Sequence, residues 1–153
     1  MRIASFLLAA LIFTGITAFK PSTEMKWYDW SEGYTLAKKN KKILLVDCYT
    51  DWCGWCKVMD RETYSKDDIQ KKIYADFIPV KLNPEKNQTY IMDNKQYTGP
   101  ELLAVLTNNQ LSGYPTVLFI IPNGKTNTVE MSVGYSDATK FSKILDEMKA
   151  KKK

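Results

Sequence analysis

The sequence predicts an α/β domain: a central mixed β-sheet with helices on both faces. Three observations predict it. Runs of branched and apolar residues, "KILLVDCYT", "FIPVKLN" and "YPTVLFIIPNGK", have the composition of strands buried on two faces. Stretches with apolar residues at helical spacing separate them, and strands joined through helices are expected to run parallel. The last run leads, across a Pro-Asn-Gly turn, into "TNTVEMSVGY", which reads as its antiparallel partner.

Taken in order, "MKWYDWSEGYTLAKKNKK" is an aromatic lead-in followed by a helix, with Ser31 as expected N-cap, Glu32 in the first turn and Asn40 near the end. "KILLVDCYT" is the first buried strand, interrupted by a single acid. From Gly54, "WCKVMDRETYS" turns helical, and Ser65 with Asp68 supplies capping chemistry for "SKDDIQKKIYADF". "FIPVKLN" is the second buried strand. "NQTYIMDNKQYTG" alternates around Asp93-Asn94 and suggests a short hairpin. "GPELLAVLTNNQ" opens a helix behind Gly-Pro. After the last two strands, "SDATKFSKILDEMKAK" is an amphipathic helix with Asp137 near its start.

A chain of 153 residues accommodates one domain with a real core, and a hydrophobic fraction of 44% against 25% charged residues is that of a folding globular chain. Its beginning differs. Met1-Arg2 supplies positive charge, and "IASFLLAALIFTGITAF" is an uncharged apolar run ending in small residues near Thr17-Ala18, the layout of a secretory signal peptide. Residues 1–18, or up to 20, are read as signal and 19–153 as the domain. The run is slightly short for a spanning helix, which makes an uncleaved membrane anchor the weaker alternative. No cysteine follows it to take a lipid. Export to the periplasm or beyond is expected. Removing residues 1–18 takes one arginine from 22 basic residues, so 21 − 17 leaves a net charge of +4. The basic tail from Lys149 reads as a frayed, solvated helix end. The other basic residues are interspersed with acids and form no aromatic-interleaved stripe, so nucleic acid is not an expected partner.

All three cysteines fall in "LLVDCYTDWCGWCKVMD", in a chain without histidine. A Cys-x-x-Cys pair can serve as a disulfide switch, half a zinc site or a structural staple. Cys53 falls where the strand ends and the helix begins, and Cys56 lies one turn later. Residues so spaced have Cβ atoms roughly 5–6 Å apart, close enough for a disulfide after modest adjustment. Unpaired amide dipoles at the helix N-terminus stabilise a Cys53 thiolate, the attacking species. Cys56, expected to lie deeper, would be the resolving thiol. A closed zinc site wants four ligands, and three thiols without histidine fall short, so metal binding ranks below exchange.

The segment "VDCYTDWCGWCK" resembles the thioredoxin active-site segment, in which a strand acid precedes Trp-Cys-x-x-Cys-Lys. The similarity extends over most of the mature chain: "VKLN" is similar to the family's strand lysine, "GYPT" to its cis-proline loop, and "VGY" with the last helix to its close. The resemblance implies a thioredoxin-like fold with an N-terminal helical extension and an insertion before the cis-proline loop. It also implies a redox-active Cys53–Cys56 disulfide with no other cofactor. Asp47 would be the buried acid relaying a proton to and from Cys56, with Lys81 its neighbour on the adjacent strand. A carboxyl in an apolar strand has a raised pKa and can trade protons near neutrality. Pro115 would be the cis-proline facing the disulfide, leaving the Tyr114 backbone to pair with a substrate strand. Trp52, Gly54 and Trp55 would complete the substrate surface. Trp55 stands where common thioredoxins have proline and disulfide isomerases histidine, and without that histidine a strongly oxidising pair is less expected. Trp52 is expected to pack partly on the neighbouring loop, Trp55 to offer an apolar contact face. Cys48, facing away from Asp47, is expected to be an inert core thiol.

The expected function is therefore thiol–disulfide exchange with partner proteins, as a monomer and as reductant, fed by a membrane-embedded redox donor because an oxidising compartment supplies no thiols. The oxidase direction, a thiolate metal site and a non-catalytic module that keeps the fold are the alternatives. The segment "NPEKNQTYIMDNKQYTG" is expected to shape partner choice and to be removable without loss of small-disulfide reduction.

Overall fold

A computed structural model of the chain describes residues 24–123 and 126–152. The expected signal at residues 1–18 and the Lys20-Pro21 start of the mature chain lie outside these residues. So do Gly124 and Lys125 of the Pro-Asn-Gly turn.

Strand β1 (Ile43–Cys48) is buried at every position, as its unbroken apolar run requires. It lies parallel to β2 (Phe77–Leu82), with Asp47 beside Lys81. On its other side β5 (Thr116–Asn123) runs antiparallel, with Val117 beside Asp47, and β6 (Thr126–Val133) completes the order β2-β1-β5-β6. The expectation that helix-joined strands are parallel therefore holds for β1 and β2 and fails for β5. The reason lies in the connection. α4 (Gly99–Thr107) ends on Asn108 and Asn109, both with left-handed backbone (φ 50° and 59°), and these turn the chain back. β5 thus starts beside Cys48, at the end of the sheet where β2 stops at Leu82.

Alternation along β1 splits the interior in two. Leu44, Val46 and Cys48 join Leu118, Ile120, Leu82 and Tyr90 beneath α1 (Trp30–Asn40) and α4. Ile43 and Leu45 join Phe119, Ile69, Ile73, Phe141 and Leu145 beneath α3 (Asp67–Asp76) and α5 (Ala138–Lys151). Helices on both faces were expected, and this is the arrangement found.

Some local details differ from expectation. The N-cap of α1 is Asp29, whose carboxylate accepts the Glu32 N–H at 2.9 Å, so Ser31 lies inside the first turn. Asp and Ser cap about equally well, and Asp29 wins because Trp30 must already be helical to bury its ring. Ser65 does not cap α3 either. Its hydroxyl donates back to the Arg61 carbonyl and closes a π-helical turn, Asp60–Tyr64, that continues α2 (Gly54–Met59). As far as Lys151 the basic tail is not frayed: α5 continues to that residue, and Lys149 and Lys151 pair with Asp76 and Glu130.

The hairpin is present as β3 (Tyr90–Met92) and β4 (Lys95–Tyr97), turned on Asp93 and Asn94 with positive φ. It is not a detachable insertion. Tyr90 is buried in the core, its hydroxyl donates to the Asn83 carbonyl, and the Trp30 indole N–H donates to the Ile91 carbonyl. Trimming the segment would therefore remove part of the core as well as a surface loop.

Candidate active site

β1 delivers the site. Beyond Cys48 the Tyr49 N–H still donates to the Leu82 carbonyl; a turn through Thr50 then places Cys53 as the N-cap of α2. Cys53 and Cys56 form a disulfide with Cα atoms 5.4 Å apart. The Cys56 N–H donates to Cys53 Sγ at 3.1 Å, an amide aimed at the sulfur that carries negative charge once the bond is opened. The two cysteines are almost equally buried, 4% and 3% exposed, so depth does not separate their roles as expected. Position does, since Cys53 alone receives the helix-end amide. Gly54 is not sterically demanded: a Cβ there would meet nothing within 4 Å, and hydrogen in its place leaves the face beside the disulfide open.

The Tyr114–Pro115 bond is cis. The loop is pinned by the Gly134 N–H donating to the Pro115 carbonyl at 2.8 Å and by Thr116 Oγ1 donating to the Gly113 carbonyl at 2.7 Å. Two indoles rise from the segment that carries the disulfide. Trp52 is 68% exposed, edge-on to the Tyr114 ring at 6.0 Å, with its N–H shared by both oxygens of Glu85. Trp55 is 60% exposed and leans on the Tyr135 ring at 5.4 Å. Beside Tyr114 an apolar groove of about 370 Å³ runs between Pro84, Leu103 and Leu111.

Behind the disulfide-bearing helix, Asp47 is fully buried and Lys81 only 19% exposed at its side chain. Lys81 Nζ donates to Asp47 Oδ2 at 2.5 Å and to Asp60 Oδ1 at 2.6 Å. Burial pushes the Asp47 carboxyl above its ordinary value, against the pull of the Lys81 ammonium. Burial draws the Lys81 ammonium down, but Asp47 and Asp60 together hold it above the usual lysine value. For Asp47 complete burial outweighs its one cation, while for Lys81, which keeps an open side, two anions outweigh burial. Cys48 turns into the opposite core, where burial and then the neighbouring Asp47 charge push its thiol well up. A buried protonated thiol is a poor nucleophile and a poor ligand. Among the described residues no group of three or more Cys, His, Asp or Glu is placed to hold a metal, and no helix is long and apolar enough to cross a membrane.

The structure thus brings Cys53, Cys56, Trp52, Gly54, Trp55, Tyr114 and Pro115 to one end of the sheet and sets Asp47 and Lys81 on its adjoining strands. Sequence reasoning missed Asp60, Tyr64, Glu85 and Tyr135. Asp60 alone carried a signal, standing four residues after Cys56 on a predicted helix.

A Cys-x-x-Cys disulfide at a helix N-terminus, at the same end of a mixed sheet as a cis-proline loop, defines the thioredoxin-fold class of thiol–disulfide oxidoreductases. A family model described as a thioredoxin-like domain matches residues 31–149, and the chain belongs to that family. It is 28% identical over 115 residues to the thiol:disulfide interchange protein DsbD of Klebsiella pneumoniae, covering 75% of this chain and 17% of that protein. To the protein of the same name from Tatumella citrea it is 30% identical over 115 residues, covering 75% and 18%. The chain therefore spans less than a fifth of the length of these curated relatives. In fold it is similar to a thioredoxin from Thermus thermophilus, with a TM-score of 0.64 at 18% identity, covering 81% of this chain and 86% of that one. It is likewise similar to the oxidised C-terminal domain of Neisseria meningitidis DsbD, with a TM-score of 0.55 at 22% identity, covering 80% and 98%.

Proposed function

We propose that the protein is an exported thiol–disulfide oxidoreductase that reduces disulfides of partner proteins. The observation that carries this reading is the Cys53–Cys56 disulfide itself, with the Cys56 amide aimed at Cys53 Sγ and a cis-proline loop at the same end of the sheet. Its similarity to thiol:disulfide interchange proteins supports the same chemistry. In the reduced protein the Cys53 thiolate attacks one sulfur of a partner disulfide, and the other partner sulfur leaves as thiolate. A mixed disulfide results. Cys56 then attacks Cys53 Sγ, after handing its proton to the Asp47 carboxylate, and the partner leaves with two thiols. Two electrons have passed to the partner, whose thiolates take one proton back from Asp47 and one from solvent, and Cys53–Cys56 is oxidised. Trp52, Trp55 and the Tyr114 backbone frame the partner segment around the sulfur. A membrane-embedded dithiol donor restores the reduced pair, since an oxidising compartment offers no bulk reductant. The reducing direction is supported by Trp55 in the place of a histidine, which leaves Cys53 without an added cation to stabilise its thiolate. Export rests on the composition of residues 1–18.

The first test is the equilibrium reduction potential of the pair against a glutathione series. A value near about −270 mV fits a reductant and one near about −120 mV an oxidant. No reversible transition would refute exchange altogether. Cys56→Ser should accumulate mixed disulfides with partners through Cys53, and Cys53→Ser should accumulate none.

A further inference from the structure

Only four buried side-chain polar atoms among the described residues lack a hydrogen-bond partner, and two of them belong together: Asp47 Oδ1 and the Tyr64 hydroxyl. Tyr64 ends the π-helical turn that begins at Asp60, a rare geometry often found at functional sites. Everything else about this tyrosine is already engaged. Its ring stands edge-on to Trp27 at 4.9 Å and to Phe141 at 5.4 Å, and its carbonyl accepts the Gln70 amide at 2.9 Å. Lys81 Nζ, which holds the other oxygen of Asp47, lies 5.5 Å from the Tyr64 ring centre. A cavity of about 520 Å³ reaches Tyr64, Lys81 and Asp60 from outside, with Glu24 and Trp27 at its rim. A buried hydroxyl left unpaired costs free energy, and the Lys81 ammonium, which bonds Asp47 and lies against the Tyr64 ring, brings the tyrosine and the unpaired carboxylate oxygen to one cation.

We propose that Tyr64 is a positioning residue for Asp47: its O–H donates to Oδ1 when the carboxyl is ionised and releases it when Asp47 is protonated. Lys81 holds Oδ2 throughout, so the two oxygens have separate duties, and Oδ1 is the one that takes and returns the proton. The electrostatics are consistent with this division. Burial raises the Asp47 carboxyl, Lys81 opposes it, Asp60 adds to the rise, and Tyr64 acts with Lys81 in favour of the charged form. Of the remaining titratable groups, Glu24 faces this pocket across the cavity, while Cys48 on the same strand turns into the opposite core with its thiol protonated. The proposal rests on the exchange reading for its purpose, since Asp47 matters as the proton partner of Cys56, but its test does not.

The test is a pH titration of the Asp47 Cγ resonance by carbon NMR in the oxidised protein, with the signal assigned by its loss in Asp47→Asn. Tyr64→Phe removes a donor to the carboxylate and keeps the ring, so the midpoint should move to higher pH. Fluorotyrosine introduced at Tyr64, a stronger donor of nearly the same shape, should move it to lower pH. An unchanged midpoint in Tyr64→Phe overturns the proposal. Should that variant fail to fold, an unchanged midpoint in the fluorinated protein overturns it equally. Because the disulfide stays closed throughout, failure here is distinct from failure of exchange, which the redox titration decides.

Discussion

At the residue scale, burial makes Asp47 a pH-dependent element of stability. Its folded pKa lies above the unfolded value of about 3.9, so the native state binds the proton more tightly. The stability it contributes is whole below that unfolded value and is lost as pH rises through the folded one. Asp47→Asn should therefore gain stability relative to the parent as pH rises from 4 to 7, with Asp60 left as the partner of Lys81. Urea denaturation at both values checks this, and an Asn variant that loses stability relative to the parent over that rise would show that the Lys81 pair outweighs desolvation. Trp55 presents the opposite case. It is 60% exposed with its ring leaning on Tyr135, so Trp55→Ala should change stability by no more than about 0.5 kcal/mol. Reduction of protein disulfides should slow while that of a small aromatic disulfide should not; equal slowing of both would place Trp55 in the chemistry instead of the docking face.

At the element scale, α1 sits unusually close to the sheet. A Cβ on Gly33 would collide with Val80 Cγ2 on β2, and Tyr28 just before the helix pairs with Val80 as a short parallel bridge. Gly33→Ala should cost about 1–3 kcal/mol, the usual penalty of overpacking, even though alanine is the better helix former. A thermal melt that rises would refute this packing. The hairpin β3–β4 is expected to behave the same way. Deleting residues 88–97 removes the buried Tyr90 ring and leaves the Trp30 indole N–H without its acceptor, so the loss should exceed about 3 kcal/mol. The sequence suggested that hairpin, because Asp93-Asn94 is a turn pair flanked by weak alternation. It gave no hint of the π-helical turn, because the extra residue per turn is set by what Asp60 and Tyr64 find across the sheet, not by local propensity.

At the scale of the whole molecule, β1 and β5 belong to both cores at once, so neither core can open without exposing the other. Unfolding should be a single transition, with far-ultraviolet circular dichroism and tryptophan fluorescence tracing the same curve; a separate early fluorescence change would show that α1 and its lead-in form an independent unit. Local signals revealed much of this architecture. Apolar runs marked β1, β2 and β5, turn residues marked the hairpins, and the spacing of Cys53 and Cys56 marked the site, because burial on two faces, tight turns and one helical turn each leave a short-range imprint on residue choice. Tertiary structure alone decided the direction of β5, the N-cap of α1, the equal burial of the two cysteines, the core role of Tyr90 and the meeting of Asp60, Tyr64 and Lys81 at Asp47. The pairings behind them join residues far apart in the chain, such as Asp47 with Lys81, 34 positions apart, and Trp30 with Ile91, 61 apart, and contacts at that range are fixed by how layers pack, which no local pattern in the chain encodes.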